Sequence, residues 1–320
     1  MKHILVRRPL EFARLPADDR PNSALPSRPF PSRDRQGAFL TALALVAVLV
    51  LLPGCQRAPV RTNEVVIIPA RNIPASPTDP VWDSAPEHLG KLLPQDLVEP
   101  RQLKATTPEV RVRAVTSGSD VAFRLEWTDA TQSDMPGPSK FLDGCAIQIP
   151  KVIEANPPDP QMGQAGRTVE VSFWRADWQA SVNGRKDTIR ELYPNASIDH
   201  YPYEAKSLEP GSAAQKEMAA RYAPSQAVGN RRVGPRASPV EEMIAEGPGT
   251  LSPAPNGKGR GAGVRTKDGW AVVIIRAVPA GLAPNTRTQI ALAVWEGSAN
   301  EVGARKMRTG WIPLAMRVGK

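Results

Sequence analysis

Cysteine and histidine are both scarce in this sequence. Only Cys55 and Cys145 occur, with three histidines, among 320 residues. Two cysteines are too few for a disulfide framework, for a zinc site built from CxxC pairs or for an iron–sulfur cluster held by thiolates. A metal held by this chain would therefore need other ligand types.

Common catalytic signatures are missing too. The sequence has no GxSxG, HExxH or P-loop motif, which would supply a nucleophile, a zinc site or a phosphate cradle. Many of the basic residues behind the formal net charge of +9 lie in Arg/Pro-rich stretches, at residues 7–35 and 231–236. No stripe of alternating basic and aromatic residues accompanies them, so we do not expect nucleic-acid binding.

A long apolar run lies near the N-terminus. Residues 37–52 are apolar, follow Arg33 and Arg35, and precede Pro53-Gly54-Cys55. This layout is typical of a signal peptide, and its end resembles a bacterial lipobox in which Cys55 is lipidated. The alternative is an uncleaved transmembrane anchor, although the run is shorter than the roughly 20 residues that span a bilayer. Both interpretations place the rest of the chain on the periplasmic side of a bacterial membrane.

The sequence predicts that the chain is divided into three regions. Residues 1–55 form the signal segment, and residues 56–80 form a Pro-punctuated linker with one β-prone run at Val65–Ile68. Residues 81–320 are expected to form the main domain. A chain of this length can bury a sizeable core, since single all-β domains reach roughly 250 residues.

Alternating apolar and polar residues predict strands in the main domain. Val110–Val115 and Val121–Trp127 alternate with period two around a turn at Ser117–Asp120, which predicts a hairpin. Other apolar runs of strand length are Cys145–Ile149, Val169–Trp174, Trp270–Arg276, Ile290–Trp295 and Trp311–Met316. Seven or more strands with little helix predict an all-β protein, an antiparallel two-sheet β-sandwich with long loops and a few short helices.

Helical periodicity is limited to two short segments. Ala213–Arg221 has it, and Val240–Ala245 has it in weaker form. Both lie between Pro194 and Gly263, a stretch rich in Pro, Gly, Ala and Arg that we interpret as a long loop. Its middle third, around Gly229–Ser238, has the composition of a surface insertion.

Four stretches carry a resemblance to a known family: Phe141–Pro150, Met162-Gly163 with Val169–Asp177, Ala227–Asn230, and Val294–Lys306 running on to Trp311. Together they resemble the haem-binding gamma subunit of ethylbenzene dehydrogenase and its relatives in other molybdenum enzymes. The resemblance spans roughly Val81 to Met316.

The resemblance implies a sandwich that holds one b-type haem between a methionine and a lysine. In this sequence the methionine is Met162 and the lysine is Lys306, so these are the predicted iron ligands. Arg305 and Arg308 flank Lys306 and are candidates to bind the haem propionates. The family also implies an electron-transfer subunit without catalysis of its own. Its partners would be an iron–sulfur and a molybdopterin subunit, and a cytochrome or the quinone pool.

The residues alone leave alternatives to these ligands open. Because CxxCH is absent, a haem would have to bind non-covalently. Histidine is the usual haem ligand, and the main domain has only His88 and His200, both typical of surface positions. Met162 offers a thioether suited to iron. Without the family, Lys306 would be interpreted as a solvated charge at a strand end, because a lysine ligates only as the neutral amine.

Two other functions remain as alternatives. Seven tryptophans could stack on sugar rings, which would favour a lipoprotein that binds carbohydrate or an envelope partner. Trp174, Trp295 and Trp311 are nevertheless expected as core residues or pocket walls, since they lie at strand ends. The other alternative, an acid/base hydrolase, would use Asp143 with a partner carboxylate.

Overall fold

The computed structural model describes residues 60–186, 191, 193–195, 211–222, 228, 230, 232 and 236–317. The predicted signal segment and Cys55 lie outside these residues, so both stay predictions. No helix among the described residues is long and apolar enough to cross a membrane.

Fifteen strands and two α-helices make up the described part of the chain. The α-helices are α1 (Ala176–Val182) and α2 (Ala213–Tyr222), and two short 3-10 helices cover Pro80–Ser84 and Gly297–Ala299. The strands are β1 (Arg61–Thr62), β2 (Val65–Pro69), β3 (Glu87–Lys91), β4 (Leu93–Pro94), β5 (Glu109–Ser117), β6 (Asp120–Thr128), β7 (Gly144–Pro150), β8 (Val169–Arg175), β9 (Val240–Ala245), β10 (Ser252–Pro253), β11 (Arg260–Arg265), β12 (Gly269–Ala277), β13 (Arg287–Trp295), β14 (Met307–Arg308) and β15 (Ile312–Met316). The predicted all-β fold is confirmed.

The strands form two sheets that share β13. One sheet has the order β11-β12-β6-β5-β2-β15-β13, and the other has the order β10-β9-β8-β7-β13-β14-β4. Residues Arg287–Ile290 of β13 pair with β15, and Ala291–Trp295 pair with β7. Most described pairings are antiparallel, as expected, but β2 runs parallel to β5 and β15, and β1 runs parallel to β3. The second sheet is the one that builds the functional site.

The core lies between the two sheets. Alternate residues of each strand point into it, among them Val112 of β5, Phe123 of β6 and Ile147 of β7, all fully buried. Burial of one such side chain stabilises the fold by about 1.5–3 kcal/mol. Because side chains alternate along a strand, the same strands of the second sheet present their remaining residues to its outer face.

The predicted hairpin is confirmed with shifted ends. β5 and β6 pair from Arg111 opposite Glu126 to Ser117 opposite Asp120, so that only Gly118 and Ser119 form the loop. Gly118 has φ +61°. This left-handed conformation favours glycine, which has no Cβ to clash.

Two predictions for the region after Pro194 are wrong. Val240–Ala245 is strand β9, not a helix, because it pairs along its length with β8. The apolar spacing of Val240, Met243 and Ile244 imitates a helical face, but the tertiary pairing decides the conformation. The stretch interpreted as one long loop also contains β9, β10 and the start of β11. Half of the predicted surface insertion at Gly229–Ser238 lies outside the described residues.

The segment between residues 60 and 80 includes an inner strand. β2 lies between β15 and β5, and Val65, Val66 and Ile67 are buried. The β-prone run at Val65–Ile68 is therefore confirmed as a strand, and this part of the predicted linker belongs to the sandwich.

Gly263 of β11 packs directly against Trp174 of β8. A Cβ at this position would lie 2.3 Å from the Trp174 ring. We expect Gly263→Ala to lower the free energy of unfolding by about 1–3 kcal/mol, the usual cost of overpacking a core. Thermal or denaturant unfolding measures this change. Gly310→Ala is the control, because a Cβ there meets no atom within 4 Å; equal stability of the two variants would contradict this packing.

Candidate functional site

A cavity of about 550 Å³ lies on the outer face of the second sheet. Its floor is made by alternate residues of β7, β8, β9 and β13, which point away from the core: Ala146, Val171, Phe173, Met243, Ala291 and Ala293. Cavities of roughly 300–1,000 Å³ with mainly apolar linings are typical ligand sites.

Small side chains make the room for this cavity. Ala146 of β7 lies directly opposite Ala293 of β13, and Ala291 lies next along the same face of β13. Their neighbours in sequence, such as Cys145, Ile147 and Val294, fill the core instead. Larger aliphatic residues at the three alanines would occupy the space, so the composition of this face produces a flat apolar slot.

Met162 lies in the loop between β7 and β8, and sheet side chains hold this loop in place. Gln148 Nε2 donates to Pro160 O over 3.1 Å, and Trp311 Nε1 donates to Pro158 O over 2.6 Å. The main-chain N–H of Gly247 donates to Met162 O over 2.8 Å. These bonds place the Met162 side chain at the cavity wall.

The backbone of Met162 is strained. Its φ is +74°, and the next residue, Gly163, has φ +80°. A Cβ at Gly163 would lie 2.9 Å from Arg167 O and 3.0 Å from Ala245 O, so glycine is required there. A non-glycine residue in the left-handed region costs roughly 1–2 kcal/mol and persists only where the surroundings impose it. Such strain is frequent at functional sites.

Lys306 lies at the opposite wall, directly before β14. A turn over Val302–Arg305 precedes it, closed by the Arg305 N–H donating to Val302 O over 3.1 Å. Trp295 Nε1 donates to Gly303 O over 3.1 Å, which ties this turn to the end of β13. The turn and β14 together direct Lys306 into the cavity.

The two predicted ligands meet although 144 residues separate them. Lys306 Nζ lies 4.0 Å from Met162 Sδ and 5.0 Å from the centre of the Trp295 ring. Burial, with the nearby charge of Arg308, lowers the pKa of Lys306 to about 8. A lower pKa increases the fraction of neutral amine near neutral pH, and the neutral amine is the form that can bind a metal.

The two predicted propionate partners differ in position. Arg308 lines the cavity, and its nearest acid, Asp96, is 3.9 Å away. Arg305 does not line it; its guanidinium lies 5.9 Å from the centre of the Phe141 ring. Within the described residues, both arginines have a buried Nε without a hydrogen-bond partner. Buried donors of this kind are normally satisfied in folded proteins.

No described histidine lies at the cavity. His88 is in β3, where its Nδ1 lies 2.9 Å from Thr62 O, and it is not among the lining residues. His200 lies outside the described residues. The ligand atoms that the described chain offers inside the cavity are therefore sulfur, oxygen and nitrogen atoms other than imidazole nitrogens.

The sequence matches the ethylbenzene dehydrogenase family over residues 79–307. The chain belongs to this family. A putative respiratory nitrate reductase heme subunit of Haloferax mediterranei is 24% identical over 296 residues, which cover 87% of this chain and 83% of that protein. The chlorate reductase gamma subunit of Ideonella dechloratans is 26% identical over 241 residues, which cover 71% of this chain and 73% of that protein.

Solved structures of a carbohydrate-binding module also align with the chain. A family 9 carbohydrate-binding module from Caldicellulosiruptor kristjanssonii gives a TM-score of 0.42 with 7% identity, covering 81% of this chain and 95% of that one. This similarity is too weak to support a conclusion about fold or ligand.

The cavity fits the cofactor that the ethylbenzene dehydrogenase family implies. A non-covalent haem needs an apolar slot, two axial donors and cations for its propionates. The alanine floor provides the slot, and Arg308 provides a cation with an unused donor. Met162 Sδ and Lys306 Nζ, which lie 4.0 Å apart, would supply the two iron ligands.

Several lining residues were not singled out from the sequence. Gln95 and Glu301 are buried polar residues at the Lys306 wall, and Met243 is a buried methionine on the floor. The signal that could have found the floor is the run of alanines at alternate positions of β13, because alanine on one face of a strand leaves space.

The carboxylate proposed for a hydrolase lies away from this cavity. Asp143 is fully buried, and one carboxylate oxygen each of Asp143, Asp129 and Glu296 lies within 4.8 Å of the others. Both Asp143 oxygens accept hydrogen bonds, from the N–H groups of Ser133 and Gly297 and from the Trp270 indole. Asp143 thus joins loops at the sheet end, and solvent does not reach it.

Asp129 makes the stability of the protein depend on pH. Burial, followed by the charge of Asp143, raises the pKa of Asp129 to about 7. The folded state therefore holds a proton that the unfolded state releases, and stability falls as the pH rises from about 4 to about 7. We expect Asp129→Asn to increase the free energy of unfolding at pH 8, because the neutral amide removes the cost of burying a charge beside Asp143. Denaturant unfolding at pH 4, where wild type and variant should agree, is the internal control; an equal difference at both values would contradict the assignment.

The tryptophans do not form an exposed stacking surface. Five of the seven are buried, including Trp174. Trp295 and Trp311 are half-buried and pack against the cavity-floor cluster. The expectation that Trp174, Trp295 and Trp311 are core residues or pocket walls is confirmed. The alternative of a sugar-binding lipoprotein rested on tryptophans available for stacking, and the burial of five of them removes that support.

Proposed function

We propose that this protein binds one b-type haem in the cavity and serves as an electron-transfer subunit without catalysis of its own. The observation that carries the proposal is the contact between Met162 Sδ and Lys306 Nζ across an apolar slot. The relatives support it, since one is named as a heme subunit and the other as a gamma subunit of a reductase.

Each part of the wall has a role in this proposal. Met162 and Lys306 would hold the iron, and Arg308 and Arg305 would neutralise the propionates. Phe173 and Trp295 cover the apolar faces and keep water away from the two donors. A bound haem would supply one-electron redox chemistry at its iron. Thioether ligation by methionine favours the reduced iron and a higher potential.

The proposed partners are subunits of a molybdenum oxidoreductase. An iron–sulfur subunit would exchange electrons with this protein, and a cytochrome or the quinone pool would complete the chain. The choice of substrate would lie in the molybdopterin subunit. Co-purification of the three subunits from native membranes is the expected result, and a solitary, haem-loaded protein would contradict the assembly.

We further propose a periplasmic location with a lipid on Cys55. The support is the apolar run at residues 37–52 followed by Pro53-Gly54-Cys55. Cys55→Ser should abolish labelling by a fatty-acid probe and release the protein from the membrane fraction. Persistent membrane attachment without label would favour the uncleaved anchor instead.

The absorption spectrum of the purified protein tests the haem proposal. We expect a Soret band in the isolated or haem-reconstituted protein and an α-band after reduction with dithionite. Haem should be extracted by acidic solvent, because no CxxCH motif holds it. A folded protein that gains no Soret band on reconstitution would overturn the proposal.

A further inference from the structure

The wall that carries Lys306 is attached on one side to β13 and on the other to residues 93–106. β4 pairs with β14, placing Leu93 opposite Arg308 and Pro94 opposite Met307. The segment then turns along the cavity, where Gln95, Val98, Glu99 and Pro100 line it. It therefore contacts both the cavity and the main chain around Lys306.

Gln95 makes the central contacts of this segment. Its main-chain N–H donates to Lys306 O over 3.0 Å, and its Nε2 donates to Ala304 O over 3.2 Å. It therefore bonds two carbonyls of the Lys306 segment, one from the main chain and one from the side chain. Nε2 also donates to Val98 O, over 2.7 Å.

The other end of the Gln95 amide is equally constrained. Its Oε1 accepts from the N–H groups of Leu97 and Val98, over 2.8 and 2.9 Å. The residue is only 3% exposed. Every polar atom of the side chain is used, so its orientation is determined, and the segment cannot shift without breaking several buried hydrogen bonds.

A second attachment lies at the start of the same wall. Glu301 is buried and accepts from Gln102 Nε2 over 2.9 Å and from Thr106 Oγ1 over 2.6 Å. Its other oxygen accepts from Glu296 N–H over 2.9 Å. The N–H of Gln102 donates to Gln95 O over 2.6 Å, which joins the two attachments.

We propose that Gln95 is the positioning residue that holds Lys306 at the distance required for iron ligation. This inference rests on the proposed haem function and names a residue that acts through Lys306. A lysine side chain is long and has many rotamers, so its reach depends on where its main chain is fixed. Residues that orient a metal ligand typically change metal affinity by about 10- to 100-fold when they are mutated.

Gln95→Leu is the direct test, made in the full-length, haem-loaded protein. Leucine is of similar size but removes the bond to Ala304 O, together with the bonds to Val98 O and from the N–H groups of Leu97 and Val98. Gln179→Leu is the matched control, because Gln179 is also buried and bonded through both ends of its amide, yet does not line the cavity. Gln95→Glu is a milder second variant at pH 8, since a carboxylate still accepts from Leu97 and Val98 but cannot donate to Ala304.

The readout is the balance between low-spin and high-spin ferric haem, followed by absorption and electron paramagnetic resonance. We expect Gln95→Leu to shift the ligand equilibrium about tenfold or more towards the high-spin form. Gln179→Leu should leave the spectrum unchanged although its melting temperature falls. In a Lys306→Ala background, Gln95→Leu should change the spin equilibrium by less than about twofold. The reason is that the effects of residues that act as a unit are not additive.

The outcomes separate this inference from the proposed function. A wild-type protein that takes up no haem overturns both. Suppose that Lys306→Ala shifts the haem to the high-spin form, whereas both Gln95 variants keep the wild-type spectrum. That result overturns only the role of Gln95. An equal further shift from Gln95→Leu in the Lys306→Ala background also overturns it, because Gln95 would then act through another group.

Discussion

Lys306→Ala is expected to weaken haem binding by at least about 100-fold, since removal of a ligand exceeds the effect known for its supporting residues. The change deletes the amine that lies 4.0 Å from Met162 Sδ. The remaining haem should shift from low-spin to high-spin. Haem titration and the ferric absorption spectrum measure both effects.

Lys140→Ala is the matched control for this substitution. Lys140 lines the same cavity but belongs to the loop before β7. It should lower affinity only slightly, through loss of a surface charge. If both lysine variants keep a wild-type spectrum, Lys306 is not an iron ligand.

Met162→Leu is expected to remove the second ligand while preserving the fold. Leucine has nearly the volume of methionine, and such exchanges usually cost less than about 1.5 kcal/mol of stability. Haem affinity should nevertheless fall by about 10- to 100-fold, on the scale of changes at metal sites. The reduction potential should also fall, because the thioether stabilises reduced iron.

Met243→Leu is the control for the methionine exchange. Met243 is buried on the cavity floor, but it lies in β9 and near Arg232, whose guanidinium is 3.4 Å from its sulfur. Its replacement should leave spectrum and potential close to wild type. If Met243→Leu changed the spectrum and potential more than Met162→Leu, Met243 would be the iron ligand instead of Met162.

Much of the strand content follows from local pattern, as β5, β6 and β12 illustrate. Each has alternating or continuous apolar residues bounded by turn residues, and period two is a property that neighbouring residues alone create. The prediction for β9 was wrong because a six-residue segment with apolar residues at 240, 243 and 244 matches both the helical and the strand period. Only pairing with β8 distinguishes them.

The candidate site was predictable only in part. The resemblance supplied Met162 and Lys306 as ligands, and the structure brings them into contact; their role as ligands stays a prediction. The attachment of Lys306 through Gln95 was not predictable, because Gln95 and Ala304 are 209 residues apart and neither has a distinctive sequence context. The cluster of Asp129, Asp143 and Glu296 was missed for the same reason, since it joins three loops.

The sequence by itself determined the all-β class, the hairpin at residues 109–128, the scarcity of cysteine and histidine that excludes most metal sites, and the family. The tertiary structure decided the cavity, the burial that lowers the pKa of Lys306, and its contact with Met162. The reason is physical: a strand pattern depends on neighbours along the chain, whereas a cavity depends on which strands lie side by side. β13 takes part in both sheets and sets that arrangement.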